Sequence, residues 1–226
     1  MIKNIYLYFR QIIVSQIKKI IFFVFRQKIR GYNNSFSFSK SVSFTNTKID
    51  VLGNSNKIII SEHCSFRNVT FFIRGNNNLI RIFPNVNFYR GGYFWIEDDG
   101  CAIEIGKNTS VEDAHIAATE PGSKICIGED CMFAYDIDIR TGDSHSIMDS
   151  KTNRRINYSR NITIRDHVWV AAHCTILKGV DLMRNSVIAT RSVVTESFNQ
   201  EGVIIGGSPA KVLKENIFWD RRRIYE

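Results

Sequence analysis

Apolar residues recur at every sixth position over much of the chain, and this spacing indicates the fold. Stepping by six from Ile164 meets only apolar residues as far as Val194, and shorter runs with the same step occur earlier. The runs are Ile164, Val170, Ile176, Leu182, Ile188 and Val194; Ile127, Phe133 and Ile139; Ile105, Val111 and Ala117; Ile82, Phe88 and Phe94; and, more weakly, Ile60, Phe66 and Phe72. Small residues stand four places further on at Thr109, Cys131, Cys174, Ser186 and Ser192.

A period of six matches neither the 3.6-residue repeat of a helix nor the alternation of an ordinary strand. It is typical of a parallel β-helix, in which three hexapeptides close a coil of about 18 residues. The apolar residue of each hexapeptide then points inward, and the small residue fits near a corner. An ordinary β-sandwich with coincidental spacing is the alternative. The pattern thus predicts an all-β fold, with a β-helix over residues 32–209.

Three segments of the chain lie outside this repeat. Residues 141–160 are polar and carry no apolar hexad, so we expect them to protrude from the β-helix as a loop, here called the excursion. Such loops frequently carry function. Residues 1–31 predict a basic amphipathic helix, which either lies on an anionic membrane surface or packs against the main domain or a partner subunit. Residues 210–226 predict a short basic helix.

Composition narrows the class of protein. The chain has 226 residues, of which 44% are hydrophobic, which excludes a collagen, a mucin or a generally disordered protein. The net charge of +8 suggests an anionic partner. Its excess lies in the first 30 residues, which contain no acidic residue and the cations Lys3, Arg10, Lys18, Lys19, Arg26, Lys28 and Arg30. We therefore expect no general nucleic-acid binding, for which no motif is present.

The charges at Lys18 and Lys19 divide the apolar stretch near the start of the chain, which argues against a membrane-spanning helix and a secretory signal. The cysteines show neither a CxxC motif nor a zinc-site spacing; they are Cys64, Cys101, Cys126, Cys131 and Cys174. We therefore expect buried, reduced thiols in a cytoplasmic protein. The inner face of the bacterial inner membrane is the alternative location, since the basic N-terminal segment can contact anionic lipid.

Three later segments resemble the hexapeptide-repeat acetyltransferases. They read NITIRDHVWVAAHCTILKGV from Asn161, NSVIATRSVVT from Asn185 and GVIIGGSPAKVLKE from Gly202. The loop GDSHSIMD within the excursion resembles that of O-acetyltransferases acting on bacterial polysaccharides and sialic acids. The resemblance implies a left-handed β-helix, a homotrimer with active sites between subunits, and acetyl-CoA as the donor. We expect no metal requirement.

Acetyl transfer from a thioester to a hydroxyl needs a base, an oxyanion donor and closely held reactants. His145 is the candidate base, because an unperturbed imidazole is largely neutral at pH 7 and the resemblance places the family's catalytic histidine here. Asp143 or Asp149 is expected to fix its tautomer. His167 and His173 fall within regular coils and favour structural or acceptor-lining roles, while His63 and His115 lack supporting context.

Trp169 precedes the inward-facing Val170, so its ring should point outward. The resemblance implies that it lines the donor thioester and orients the acetyl group; an aromatic at the trimer interface is the alternative. The oxyanion donor is either a backbone N–H near Ala171 or the Trp169 indole.

Several turns depart from the family's pattern. Ala171, Ala172 and His173 stand where the family has Gly-Ala-Asn, and Ala189, Thr190 and Arg191 stand where it has Gly-Ala-Gly. The residues expected to bind acetyl-CoA are Ala171, Lys178, Ala189, Thr190, Arg191, Pro209 and Lys211. Those expected to meet an anionic acceptor are Arg154, Arg155 and Arg160. Arg221, Arg222 and Arg223 face cofactor phosphate, a membrane or only water.

These features predict an acetyl-CoA-dependent O-acetyltransferase acting on a hydroxyl of a bacterial surface polysaccharide, such as a capsule, an O-antigen or sialic acid. An N-acetyltransferase of an amino or nucleotide sugar is the alternative. A carbonic-anhydrase-like metalloprotein needs three converging histidines, and His167 and His173 lie on successive faces of one coil. A non-catalytic scaffold is disfavoured by the candidate base.

Overall fold

The computed structural model describes residues 25–225, which form a parallel β-solenoid of about eight coils. The chain visits three sheets in turn, and each strand pairs in parallel with the equivalent strand of the next coil. Sheet 1 contains β1 (Phe25–Arg30), β4 (Thr47–Leu52), β7 (Val69–Arg74), β10 (Gly92–Glu97), β13 (Ala114–Thr119), β16 (Ile137–Arg140), β19 (Thr175–Ile176) and β22 (Val193–Val194). The predicted parallel β-helix is confirmed, and the architecture matches a left-handed one.

The other two sheets complete the triangular section of the solenoid. Sheet 2 contains β2 (Ser35–Phe38), β5 (Lys57–Ile60), β8 (Leu79–Ile82), β11 (Ala102–Ile105), β14 (Lys124–Ile127), β17 (Ile162–Ile164) and β20 (Asp181–Leu182). Sheet 3 contains β3 (Ser43–Thr45), β6 (Ser65–Arg67), β9 (Asn87–Phe88), β12 (Ser110–Val111), β15 (Met132–Phe133), β18 (Trp169–Val170), β21 (Val187–Ile188), β23 (Ile204–Gly207) and β24 (Ala210–Lys214).

The two predicted terminal helices are not supported, since residues 25–225 contain no helix. Phe25–Arg30 is a strand whose backbone pairs with Thr47–Leu52, so the sheet satisfies its polar groups. Residues 1–24, which carry most of the predicted N-terminal helix, lie outside the described residues. At the other end, Ala210–Lys214 turns back antiparallel to β23 and closes sheet 3.

The hexad that begins at Ile164 is buried at every position through Val194, as predicted. The earlier coils differ, because equivalent residues there lie 22 or 23 positions apart instead of the 18 seen in the last coils. In these longer coils, a strict step of six therefore moves from the inward row of residues to the outward row next to it. Phe94 points inward as predicted, and its partner in the preceding coil is Phe71. Phe72 and Ala117, which were also predicted to point inward, belong to the outward row with Trp95.

Coil length also explains the change in core composition. The longer early coils are filled by phenylalanines that stack from coil to coil, with ring centroids 4.7 Å apart for Phe71 and Phe94 and 5.6 Å apart for Phe66 and Phe88. The shorter last coils are filled mainly by isoleucine, valine and leucine. Larger side chains in the longer coils maintain the close packing of a protein interior.

Left-handed corner residues close the turns between sheets. Asparagine and aspartate occupy most of these positions, where they tolerate a positive φ better than other residues do. Three histidines sit at such corners, with φ values of 57° at His63, 54° at His167 and 60° at His173. These three histidines therefore belong to the turns of the solenoid and not to its strands.

The cysteines are all free, and four of them are buried. Cys126 is the exception, because it lies at an outward position of β14 and is exposed. The prediction of buried thiols is therefore wrong at this one position.

Candidate active site

The excursion leaves the solenoid after β16 and returns at β17, so residues 141–160 belong to none of the three sheets. An antiparallel bridge between Met148 and Arg155 folds it into a short hairpin-like arm. At the tip, the Asp149 carboxylate accepts hydrogen bonds from the Lys151 and Thr152 amides, at 3.1 and 2.7 Å. These bonds, first among them that from Thr152, hold the pKa of Asp149 below its usual value. Asp149 thus shapes the tip.

Asn157 holds the base of the excursion together. Its side chain is 7% exposed and makes four hydrogen bonds. The amide oxygen accepts from the Ile147 backbone at 2.7 Å and from Arg155 Nε at 3.1 Å. The amide nitrogen donates to Asp143 Oδ2 at 2.9 Å and to the His145 carbonyl oxygen at 2.7 Å. The backbone around His145 is therefore fixed from within the excursion.

The Asp143 carboxylate forms an ion pair with Lys178, which lies beyond β19 at the corner between sheets 1 and 2. Burial alone would raise the pKa of Asp143, but the hydrogen bonds from Lys178 and Asn157 lower it overall. The Lys178 ammonium also donates to the Asn157 carbonyl oxygen at 3.1 Å. Lys178 therefore fastens the excursion to the next coil, at a different corner from the other residues expected to bind acetyl-CoA.

The three arginines expected to meet the acceptor differ in their surroundings. Arg155 forms an ion pair with the half-buried Glu120. Arg160 donates to the Lys178 carbonyl oxygen at 3.3 Å. Arg154 is exposed, and within the described residues its guanidinium has no hydrogen-bond partner. Arg154 is consequently the arginine of this group most available to a ligand.

His145 is exposed on the arm, and no hydrogen bond reaches its imidazole from residues 25–225. Its backbone N–H donates to the Asp143 carbonyl oxygen at 2.8 Å. Asp143 and Asp149 are bonded to other groups, so neither fixes the His145 tautomer within this chain. The backbone of His145 is thus fixed, while both nitrogens of its imidazole ring are available for chemistry.

The remaining residues expected to bind the donor form a row along the corner between sheets 3 and 1. The Thr190 hydroxyl donates to the Ala172 carbonyl oxygen at 2.8 Å, and the Gly207 N–H donates to Ser192 Oγ at 3.2 Å. These bonds join consecutive turns. Ala171, Ala189, Thr190, Arg191, Pro209 and Lys211 lie in these turns or the strands next to them, and Thr190, Arg191, Pro209 and Lys211 are exposed.

The two candidate oxyanion donors differ in their hydrogen bonding. The Ala171 N–H donates to the Ile188 carbonyl oxygen at 2.9 Å as part of the parallel pairing, so it is occupied. No partner within residues 25–225 accepts from the Trp169 indole N–H. An oxyanion donor must be aimed at developing charge and free to bind it, which argues against the Ala171 amide itself and leaves the Trp169 indole and the other backbone N–H groups near Ala171.

The C-terminal segment packs over sheet 3 beside Trp169. The Trp219 ring stacks on His167 with centroids 4.0 Å apart and lies 6.0 Å from the Trp169 ring. His167 Nδ1 is 2.7 Å from Asp130 Oδ2, so this ring is held between Asp130 and Trp219. Arg221 donates to Asp130 Oδ1 at 2.8 Å and to the Cys131 carbonyl oxygen at 2.7 Å. Arg221 is thus bound to the solenoid instead of facing only water.

His145 and Trp169 lie on different sides of one protomer. Trp169 is on sheet 3, whereas the excursion leaves the end of sheet 1 and returns to sheet 2. The two side chains expected to act on one acetyl group are therefore not brought together within the described chain.

Sequence reasoning missed a second group of polar side chains. His115 Nδ1 lies 3.0 Å from Asp138 Oδ1, and Arg140 donates to the same carboxylate at 2.7 and 2.9 Å. Outward-facing Trp95 and Tyr93 lie beside His115. The alternation of Tyr93, Phe94 and Trp95 was a usable signal, but pairing His115 with Asp138 required the 23-residue coil length.

Metal centres and membrane-spanning helices are not found in the part of the chain that the structure describes. Within residues 25–225, no group of three or more His, Cys, Asp or Glu side chains is arranged to hold a metal ion. The same residues include no helix long and apolar enough to cross a membrane.

The solenoid, the His145-bearing excursion and the late turns define a β-helical acyltransferase. The solved structure of the polysialic acid O-acetyltransferase OatWY matches with a TM-score of 0.82 and 31% identity, covering 89% of this chain and 93% of that one. The polySia-specific acetyltransferase NeuO matches with a TM-score of 0.82 and 32% identity, covering 90% and 92%. The chain belongs to the hexapeptide-repeat acetyltransferase family.

Sequence comparison gives a related but shorter match. The polysialic acid O-acetyltransferase of Neisseria meningitidis is 36% identical over 122 residues, which are 54% of this chain and 56% of that protein. The matched region spans about half or less of the length of the first curated relatives. No protein-family model matches the sequence.

Proposed function

We propose that this protein transfers an acetyl group from acetyl-CoA to a sugar hydroxyl of a bacterial surface polysaccharide. Membership of the hexapeptide-repeat acetyltransferases supports an acyltransferase of this type. The observation that carries the proposal is the state of His145, whose backbone is fixed by Asn157 while its imidazole is unpaired within the described chain. The relatives are named for polysialic acid as their acceptor, and we propose that the acceptor of this chain is likewise an acidic polysaccharide.

In the proposed reaction, neutral His145 takes the proton of the acceptor hydroxyl as its oxygen attacks the thioester carbonyl carbon. A C–O bond forms, and the carbonyl oxygen becomes an oxyanion that the Trp169 indole N–H stabilises. Collapse of the tetrahedral intermediate breaks the C–S bond. The departing thiolate of CoA receives the proton held by His145, which returns the imidazole to its neutral form.

The positions of the two side chains favour an assembly of several copies. Because His145 and Trp169 face different sides of one protomer, we propose that His145 of one copy acts with Trp169 of a neighbouring copy. A homotrimer gives three equivalent clefts of this kind, since cyclic symmetry repeats one heterologous contact around the ring. An isolated protomer is then expected to be inactive.

For the donor, we propose that acetyl-CoA lies along the corner between sheets 3 and 1. Exposed Arg191 and Lys211 would meet its phosphates, and Thr190 and Pro209 would line its path. Ala171 and Ala189 keep the adjoining turns small. Lys178 is paired with Asp143 at another corner, so we assign it to holding the excursion. The reaction needs a supply of acetyl-CoA, and we therefore place the protein in the cytoplasm, with the basic N-terminal segment as a contact for anionic lipid.

Acetyl-CoA turnover against a panel of acceptors tests this function. The panel contains polysialic acid, uronic-acid polymers, neutral polysaccharides, their monomers and amino sugars, with products identified by NMR. We expect new O-acetyl signals on an acidic polysaccharide. Products acetylated only on nitrogen would support an N-acetyltransferase instead. If acetyl is transferred to none of the acceptors, the proposal is contradicted.

A further inference from the structure

The C-terminal segment, residues 215–225, folds back across sheet 3 and is held there by His167. The Trp219 ring stacks on the imidazole with centroids 4.0 Å and planes 10° apart. The Trp219 indole N–H donates to the His167 carbonyl oxygen at 2.8 Å, and His167 Nε2 lies 3.0 Å from the Trp219 carbonyl oxygen. Each side chain therefore binds the backbone of the other residue, and the two residues together are here called the clasp.

Both ring nitrogens of His167 face oxygen atoms that only accept hydrogen bonds. Nδ1 lies 2.7 Å from Asp130 Oδ2, and the other oxygen of that carboxylate accepts from Arg221 Nε at 2.8 Å. Nε2 faces the Trp219 carbonyl oxygen. A neutral imidazole has one N–H, so it bonds to one of these acceptors and turns a lone pair toward the other, whereas the doubly protonated ring bonds to both. The clasp is therefore complete only when His167 carries a positive charge.

The surroundings of the ring suit a positive imidazole. Acidic groups outnumber basic ones in the turns on either side of it and in the C-terminal segment. They are Glu129 and Asp130 in the preceding coil, Asp166 in the same turn, Arg184 in the following coil, and Asp220 and Arg221 in the C-terminal segment. The face of the Trp219 indole adds an attraction for a stacked cation. Both the charges and the aromatic contact thus favour the protonated form of the clasp.

The clasp lies beside the indole that the proposed reaction uses. The centroids of the Trp219 and Trp169 rings are 6.0 Å apart, with their planes at 49°. Trp219 is 7% exposed, so its ring fills the space on one side of the half-buried Trp169. While Trp219 stays in place, the Trp169 ring cannot turn toward the C-terminal segment. The orientation of Trp169 therefore depends on whether the clasp is closed.

We infer that protonated His167 is a positioning residue, whose clasp holds Trp219 against Trp169 and so fixes the Trp169 indole at the donor thioester. The inference rests on the proposed function and adds a dependence on pH to it. When His167 loses its proton, one acceptor is left without its hydrogen bond, the C-terminal segment loosens and the Trp169 ring gains freedom. His167 acts through the two tryptophans and does not itself touch a substrate.

Hydrogen exchange in the full chain tests the clasp directly. We expect the protection factors of the amides of residues 217–221 to fall about tenfold between about pH 5.5 and pH 8.5, because deprotonation removes one hydrogen bond to a charged group. His167→Asn keeps a residue suited to the positive φ of this corner and should show low protection at every pH. The matched control is His173→Asn at the far end of β18, where Nδ1 lies 2.6 Å from Asp136 Oδ2; it should retain the pH dependence. A change of less than twofold in the wild type would overturn the inference.

Two further measurements separate the positioning of Trp169 from a merely structural role of the clasp. The indole N–H resonance of Trp169 should shift with pH in the wild type and stay constant in His167→Asn; the same pH response in both proteins would overturn the inference. We expect His167→Asn to lower kcat about tenfold at about pH 6, less than the roughly 10²–10³-fold effect of removing an oxyanion donor, and to leave KM for acetyl-CoA within twofold. The variant should also lose the decline of kcat at alkaline pH.

The failure of the clasp and the failure of the proposed function give different results. If the wild-type protein transfers acetyl to no acceptor, a release of the C-terminal segment and a shift of the Trp169 resonance that both depend on His167 would still support the clasp. If acetyl transfer is observed and His167→Asn has the kcat and the pH profile of the wild type, the positioning role is overturned while the proposed function stands.

Discussion

Asn157 donates a hydrogen bond of 2.7 Å to the carbonyl oxygen of His145, and so connects the return of the excursion to the candidate base. We expect Asn157→Ala to lower kcat by about 100-fold, because a displacement of about 1 Å at a reacting group has an effect of that order. Because Asp143, His145 and Ile147 are exposed and can bind water instead, the loss of each hydrogen bond should destabilise the arm by only about 0.5–1.5 kcal/mol. Steady-state kinetics and limited proteolysis measure the two effects.

The matched control for this change is Ser150→Ala at the exposed tip of the arm. It should leave kcat and the proteolysis rate unchanged. Equal kinetics in Asn157→Ala and the wild type would show that the arm does not need this hydrogen-bond centre.

Lys178 and Asp143 form the ion pair that ties the arm to the following coil. The pKa of Asp143 is lowered in the folded arm, so the folded form binds the proton less readily than the unfolded one. The contribution of the pair is complete above the unfolded Asp pKa of about 3.9 and is lost as pH falls through the lower folded value. We expect the protection factors of the arm amides, which correct for the pH dependence of intrinsic exchange, to fall below about pH 4 in the wild type.

Neutralising the carboxylate should remove that pH dependence. In Asp143→Asn we expect low protection of the arm already at neutral pH, and on acidification only the response that Asp149 supplies through its own lowered pKa. An unaltered acid transition in this variant would assign the effect to another carboxyl group.

The positions predicted from the sequence agree best with the structure where the coils repeat regularly along the chain. The step of six from Ile164 to Val194 predicts inward positions because those coils are short and uniform. It fails at Phe72 and Ala117, since longer coils shift the register, and no local signal announces a longer coil. The predicted C-terminal helix failed for a related reason, because pairing with β23 outweighs the helical preference of Ala210–Lys214.

The candidate site was predictable in part. His145 was identified because it lies in the loop GDSHSIMD, within a segment that lacks the apolar hexad. The polar sequence of that segment also predicted that His145 would lie on a protruding arm. Asn157 and Glu120 were missed because their roles depend on contacts across the arm and between coils. The partner of Lys178 could not be foreseen either, since 35 residues separate it from Asp143.

Trp219 fastens the C-terminal segment over sheet 3. The ring is 7% exposed and stacked on His167, and its indole donates to the His167 carbonyl oxygen at 2.8 Å. We expect Trp219→Ala to lower the free energy of unfolding by about 3 kcal/mol. For a chain of this size, that corresponds to a fall of about 6–12 °C in the thermal midpoint, measured by calorimetry.

Its neighbour Phe218 provides the matched control, because that ring is 81% exposed. Phe218→Ala should change the free energy of unfolding by no more than about 0.5 kcal/mol. Similar losses in the two variants would contradict the packing of Trp219 on the solenoid.

Cys126 is the one exposed thiol of the chain, and four others are buried. Partial burial of the thiol and nearby Glu104 raise the pKa of Cys126, so labelling should still accelerate as the pH rises above the usual thiol pKa. We expect a thiol reagent to modify one cysteine per native chain at about pH 9 and all five after denaturation. Cys126→Ala should remove the native reaction, and rapid native labelling of that variant would show that a buried thiol is accessible.

In the proposed mechanism, everything depends on His145 removing the proton from the acceptor hydroxyl. The decisive measurement is kcat for acetyl transfer by His145→Ala, alongside calorimetric binding of acetyl-CoA, with His63→Asn as a control at a corner that tolerates asparagine. A positioned general base contributes about 10²–10⁴-fold. We predict a loss of that order in His145→Ala with donor binding intact and no loss in His63→Asn. Near-wild-type turnover in His145→Ala would contradict this role for His145.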